Sequence, residues 1–206
     1  GEVRLTGSAN FEVKNSYAIN VVATDAGGLS ATKAVTVSVT NVNEAPAISS
    51  SATGTVAENS AGVLVYTATS SDVDANDTLS YTLTGTDASL FSINSAGEVR
   101  LTGSANFEVK NSYAINVVAA DAGGLSATKA VTVSVTNVNE APTISSGATG
   151  TVAENSTGAL VYTAASSDVD ASDTSSYTLT GTDAALFSIN SAGEVRLTGS
   201  ANFEVK

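Results

Sequence analysis

Seven carboxylates in residues 47–142 stand in loops and at strand ends. They are Glu58 in Val-Ala-Glu-Asn, Asp72, Asp74 and Asp77 in Ser-Asp-Val-Asp-Ala-Asn-Asp, Glu108 in Asn-Phe-Glu, Asp121 in Ala-Asp-Ala-Gly-Gly, and Glu140 in Asn-Val-Asn-Glu-Ala-Pro. Oxygen donors drawn from several loops suit Ca²⁺, which takes about 6–8 oxygens at roughly 2.3–2.6 Å. Asp72-x-Asp74 in an extended segment puts both carboxylates on one side. Without a cation such groups repel and raise each other's pKa. The Asp72–Asp77 run shares its opening with an EF-hand loop. It lacks that loop's Gly and distant Glu, and no helical pattern flanks it, so an Asx-turn loop explains it equally well. Asp87 and Glu98 are expected to be solvated turn or strand-edge charges.

Other chemistries fare worse. The chain has no His and no Cys, so thiolate metal sites and disulfides are excluded. Lys is sparse, at 14, 33, 110, 129 and 206. A Ser–Lys dyad or a carboxylate pair is chemically conceivable, but near-identical tandem copies do not suit an active site, and no enzyme is expected. The net charge of −12 repels nucleic acid and anionic membranes. Plain solubility explains it as well as cation binding does. No stretch reaches the roughly 18 apolar residues of a membrane span.

The elements that must position these acids recur. The string GEVRLTGSANFEVK begins at Gly1, Gly97 and Gly193, a period of 96 residues. Residues 1–110 laid on 97–206 differ at nine positions. A unit this long holds an independent sandwich, and the array fits a protein longer than this chain. Strands are expected at 53–57, 62–69, 79–84, 90–94, 97–102, 112–120 and 127–137, from β-branched and aromatic runs between Gly, Asn, Asp and Ser clusters. Tyr113, Ile115 and Val117 alternate, as do Val131, Val133 and Val135, and the Gly-rich turn at Asp121 joins the two runs as a hairpin. The fold class is all-β, a tandem of seven-stranded Greek-key sandwiches. Pro46 and Pro142 each close Thr-Asn-Val-Asn-Glu-Ala-Pro and end sheet pairing. The expected organisation is therefore the C-terminal part of a repeat at 1–46, a complete repeat at 47–142 and the N-terminal part of a third at 143–206.

The set of acids and linkers resembles a cadherin repeat, over the complete unit and both partial ones. The resemblance implies calcium at each junction between domains. Glu58 and Glu154 match the family's Pro-Glu-Asn glutamate, with Ala in place of Pro. Glu12, Glu108 and Glu204 match the Glu of its Asp-x-Glu motif, where Asn10, Asn106 and Asn202 replace the Asp. Asn41, Asn43 and Glu44, and likewise Asn137, Asn139 and Glu140, match the linker motif, with Asn for its first Asp and Glu for its second. Asp72/Asp74 and Asp168/Asp170 match the Asp pair; Asp25 and Asp121 match the hairpin Asp. Fewer carboxylates per junction imply fewer or weaker ions. The linkers ending Asn-Glu-Ala-Pro are similar to those of cadherin-like repeats in large bacterial surface and secreted adhesins. The resemblance thus implies an extracellular or cell-surface spacer or adhesion stalk that contacts neighbouring repeats and makes homophilic or polysaccharide contacts.

Two further expectations stand beside it. A calcium-stabilised carbohydrate-binding module is the alternative, with Tyr66, Tyr81, Phe91, Phe107 and Tyr113 as platform candidates; strand alternation also suits them to a core. The partial repeats at the two ends are complementary, and head-to-tail assembly through them is expected if one completes the other.

Overall fold

The computed structural model describes residues 1–202 and 204. They form two compact units, 1–136 and 137–206. Unit 1 opens with a hairpin of β1 (Ser16–Thr24) and β2 (Ser30–Ser38), in which Tyr17 faces Val37 and Ile19 faces Val35. A seven-stranded sandwich follows. Its strands are β4 (Thr53–Ala57), β5 (Leu64–Thr67), β7 (Ser80–Thr84), β8 (Phe91–Ile93), β9 (Glu98–Leu101), β10 (Ser112–Ala120) and β11 (Ser126–Thr136). The two-residue pair β3 (Ala47–Ile48) and β6 (Ser70–Ser71) adds a short ribbon that the sequence did not announce.

One sheet runs β4-β11-β10-β7 and the other β5-β9-β8. Among the described strands only the β11–β4 pairing is parallel. This Greek-key sandwich agrees with the expected all-β class, and each of its seven strands falls on an expected run, shorter by one or two residues at some ends and, in β11, shifted one residue earlier. The core is the inward face of both sheets. Val65, Tyr66, Phe91, Val99 and Leu101 meet Tyr113, Ile115, Val117, Val131, Val133 and Val135, all buried. Phe91 and Tyr113 pack edge to face, with centroids 5.5 Å apart. The strict alternation along β10 sends Tyr113, Ile115, Val117 and Ala119 inward. Gly97 precedes β9 at φ +77°, where a Cβ would lie 2.6 Å from the Ala68 carbonyl oxygen. Only glycine fits there.

Unit 2 contains β12 (Thr143–Ile144), β13 (Leu160–Thr163), β14 (Ser166–Ser167), β15 (Phe187–Ile189) and β16 (Glu194–Leu197). The β13-β16-β15 sheet repeats the register of β5-β9-β8, with the same irregularity in its first strand. Segments 149–153 and 176–180 repeat the sequences of β4 and β7 but form no strand.

The burial contrast between equivalent residues yields a prediction. Ile115 is fully buried and Ile19, its counterpart in β1, is half-buried. Ile115→Ala is expected to cost about 2–5 kcal/mol and Ile19→Ala about 1 kcal/mol or less, read as shifts in the urea midpoint of the sandwich. Equal shifts would contradict the assigned core.

Candidate metal centre

In unit 1 the connector at Asn41–Pro46 lies against the loop before β7, through Asp74, and against the β10–β11 turn, through Asp121. Pro46 is buried, which anchors the connector. The Asn41 amide donates to Asp74 Oδ1 at 2.7 Å, and the Glu44 main-chain N–H donates to Asp74 Oδ2 at 2.8 Å. Asp74 in turn donates its N–H to Asp72 Oδ1 at 2.9 Å. The Asn43 amide donates to Asp121 Oδ2 at 2.8 Å, and the turn's Leu125 N–H donates to Asp121 Oδ1 at 2.8 Å. Asp74 and Asp121 are 9% and 6% exposed, so the β10–β11 turn holds Asp121 in place rather than leaving it in solvent. The Asp-Ala-Gly-Gly sequence has room for this: a Cβ on Gly123 would strike the Asn43 amide at 2.7 Å.

Two oxygen clusters result. Glu12, Glu44 and Asp74 each offer a carboxylate oxygen, all within 4.8 Å of one another; Asp72, Asp77 and Asp121 do the same. Asp72 links them, since it caps the Asp74 N–H with one oxygen. Its other oxygen, Oδ2, is buried without a hydrogen-bond partner. A buried carboxylate oxygen left so is costly unless a cation or another donor reaches it. Burial raises the Glu44 carboxyl pKa, and the charges of Glu12, Asp74 and Asp72 and its hydrogen bond with Asp74 raise it further. The Asp74 carboxyl is lowered, chiefly by the Glu44 N–H and then by the Asn41 amide. Every donor in the set is oxygen, which fits a hard divalent cation and not zinc or copper.

Other sequence candidates lie elsewhere. Glu58 is buried, at 2% exposure; its Oε2 accepts the Phe107 N–H at 2.8 Å, and Glu108 brings a carboxylate oxygen within 4.8 Å of it. Asn106 spends Oδ1 on the Val109 N–H at 2.7 Å, and Asn10 caps Val13 in the same way, so both act as turn caps. Asp25, in the β1–β2 turn, accepts from Gly27 and Leu29. In unit 2, Asp168, Asp170 and Asp173 gather oxygens within 4.8 Å. The Glu140 N–H donates to Asp170 Oδ2 at 2.8 Å, and the Asn139 amide turns to the Glu140 carbonyl at 3.1 Å. Asn137 and exposed Asn139 belong to the same connector stretch.

The expectation that Asp87 is a solvated charge is wrong. It is 7% exposed and ion-paired to Lys110, and its Oδ2 accepts the Ala114 N–H at 2.8 Å. Lys110 also lies over the Tyr113 ring, 5.2 Å from its centroid. Asp87 therefore pins the start of β10. The partner stands 23 residues away, so no local pattern announced it. The hydrogen bond from Lys110, then the Ala114 N–H and the Lys110 charge, hold the Asp87 carboxyl below its ordinary value. Glu98, by contrast, is partly exposed beside Arg100, as expected.

Residues 52–136 match the family model described as Cadherin domain. Protocadherin Fat 4 of Mus musculus is 33% identical over 153 residues, covering 69% of this chain and 3% of that protein. Protocadherin-1 of Homo sapiens is 34% identical over 150 residues, covering 67% of this chain and 14% of that protein. The chain thus spans a small part of these relatives. Among solved structures, the Protocadherin gammaB7 EC3-6 cis-dimer structure is similar with TM-score 0.67 and 26% identity, over 95% of this chain and 54% of that one. Mouse Cadherin-23 EC22-24 shares the fold, with TM-score 0.68 and 20% identity over 95% of this chain and 68% of that one. Fold and site together define a Greek-key β-sandwich repeat with acidic loops at its connector. The repeat over 52–136 is cadherin-like. Among the described residues no helix is long and apolar enough to cross a membrane.

Asp87→Ala is expected to destabilise the sandwich by about 2–3 kcal/mol, because the Ala114 N–H loses a charged acceptor. Since the folded carboxyl is held low, its contribution is full above the unfolded pKa of about 4 and fades as pH falls through the depressed value. The acid limb of a stability-against-pH curve should therefore flatten in the variant. An unchanged acid limb would contradict the ion pair.

Proposed function

We propose that this chain is a calcium-binding stretch of an extracellular adhesion protein, whose repeats are stiffened into a spacer or stalk by ions shared at their connectors. One observation carries the reading: the two oxygen-only clusters at Asn41–Pro46 draw on residues before, within and after the connector. Glu12, Glu44 and Asp74 would hold one ion and Asp72, Asp77 and Asp121 another, with the buried Asp72 Oδ2 as a ready ligand. Bound calcium supplies the positive charge that offsets carboxylate repulsion. The Asn41 and Asn43 amides now give N–H to the carboxylates. Turning either amide over exchanges Nδ2 for Oδ1 and makes it an oxygen donor. Without calcium the like charges push the connector away from the loops; with it, both sides are held to one angle.

The remaining ligand candidates, Glu58 and Glu108, then Asn137, Asn139, Glu140, Asp168 and Asp170, are proposed to bind calcium as well. Asn106 joins them only if it releases Val109. The repeat boundaries are proposed to follow Pro46 and Pro142. Homophilic contact is the proposed adhesive mode, supported by the cis-dimer named for the protocadherin relative. The Asn-Glu-Ala-Pro linkers support a bacterial surface protein as the source. The polysaccharide reading loses its platform in this repeat. Tyr66, Phe91 and Tyr113 are core residues, and Tyr81 and Phe107 pack half-buried against them.

Calorimetric titration of the chain with CaCl₂, with small-angle scattering in calcium and in chelator, tests the proposal. Saturable binding with Kd on the order of 10⁻⁴–10⁻³ M is expected, with a stiffer particle in calcium. Asp74→Ala should weaken the connector site by about tenfold or more while leaving the fold intact. No binding heat and identical scattering curves would overturn the reading.

A further inference from the structure

The β3–β6 ribbon stands at the joint between the two halves of the candidate site. The connector Asn41–Pro46 runs directly into β3, and β6 runs directly into the loop that carries Asp72 and Asp74. Ala47 pairs with Ser71 and Ile48 with Ser70. Whatever holds the ribbon therefore also sets how the connector meets the acid loop. A ribbon of two residues a side is marginal by itself. Ile48 packs against the core, and the remaining hold comes from hydroxyl groups.

Two tyrosines reach it from the sandwich. Tyr66 in β5 is buried, and its hydroxyl donates to the Ser51 carbonyl at 2.8 Å. With its one proton so placed, it accepts from Ser50 Oγ at 2.6 Å, and Ser50 Oγ accepts the Thr69 N–H at 3.1 Å. The donors run in one direction, from Thr69 through Ser50 and Tyr66 to Ser51, and they tie the residues after β3 to the residue before β6. Tyr81 in β7 packs half-buried against the core, and its hydroxyl is hydrogen-bonded to Ser70 Oγ, two residues before Asp72. Unit 2 has the same pattern. Thr143 and Ile144 pair with Ser167 and Ser166, the Tyr162 hydroxyl bonds Ser146 Oγ, and the Tyr177 hydroxyl bonds Ser166 Oγ at 2.8 Å.

We infer that Tyr66 and Tyr81 are positioning residues for the Asp72–Asp74 segment. They act through Ser50, Ser51 and Ser70, latching the ribbon so that Asp74 faces the Asn41 amide and the Glu44 N–H before any ion arrives. The latch opposes the mutual repulsion of the acids, and it orders the loop during folding rather than during binding. Site rigidity of this kind tunes calcium affinity. The role in affinity rests on the calcium reading above. The latch itself does not, so the two are tested apart.

Hydrogen exchange of the 206-residue chain, read by mass spectrometry on residues 70–77 in chelator and across a CaCl₂ titration, is the test. That segment differs from its copy at 166–173 only by Asn76 for Ser172, so the two are read separately. In chelator, Tyr81→Phe and Ser70→Ala should each speed exchange at 71–74 by about three- to tenfold, the range that one hydrogen bond supplies. The pair together should do no more than either alone, because both remove the same bond. Tyr66→Phe, which breaks the link to Ser51, should loosen the segment as well. Ser70→Thr keeps the hydroxyl and should behave as the unaltered chain. Tyr81→Phe and Ser70→Ala should also raise the calcium concentration that half-protects 70–77 by about three- to tenfold. Exchange at 71–74 that neither variant alters overturns the latch. Faster exchange with an unchanged calcium midpoint overturns its role in affinity. If calcium protects nothing in the unaltered chain, the calcium reading falls, and the rates in chelator decide the latch alone.

Discussion

The apolar face of the β10–β11 hairpin must be buried against the β5-β9-β8 sheet, and the rest of the sandwich depends on that burial. Period-two alternation collects Tyr113, Ile115 and Val117 on one side of β10 and Val131, Val133 and Val135 on one side of β11. Removing those side chains from water is the main favourable term available to a repeat without disulfides. Once the hairpin is seated, its two edges supply backbone partners that turn 53–57 and 80–84 into strands. The Asp87–Lys110 pair and the Asp87–Ala114 hydrogen bond fix where β10 starts.

Seating the hairpin also places the chemistry. Its turn carries Asp121 to Asp72 and Asp77, and the connector that precedes the sandwich brings Glu44 to Asp74. The fold therefore concentrates negative charge by burying apolar surface, and the two effects oppose each other at the connector. Main-chain N–H groups and asparagine amides moderate the repulsion, and they do so unevenly. The Glu44 N–H and the Asn41 amide hold the Asp74 carboxyl below its ordinary value, whereas desolvation and the charges of Glu12, Asp74 and Asp72 raise that of Glu44. A divalent cation would relieve this imbalance, since it favours the charged form of every carboxylate it touches.

Much of this was legible in the residues. The 96-residue period, the strand runs and the turn at Asp121 follow from repetition, alternation and glycine placement, all local properties of the chain. The candidate acids, Asp77 among them, follow from residue types with oxygen donors in expected loops; which of them share a cluster is visible only in space. Asp87 was misread, because its burial and its lysine partner depend on how β10 packs and leave no trace near position 87.

The sequence by itself determined the all-β class, the repeat length, the hairpin and the identities of the oxygen donors, because side-chain period and composition are properties of short segments. Tertiary structure alone decided which identical segments become strands. Thr-Gly-Thr-Val-Ala is β4 at 53–57 and irregular at 149–153, and Ser-Tyr-Thr-Leu-Thr is β7 at 80–84 and irregular at 176–180. A strand needs backbone partners from a distant part of the chain, and among the described residues 53–57 and 80–84 have β11 and β10 beside them to supply those partners.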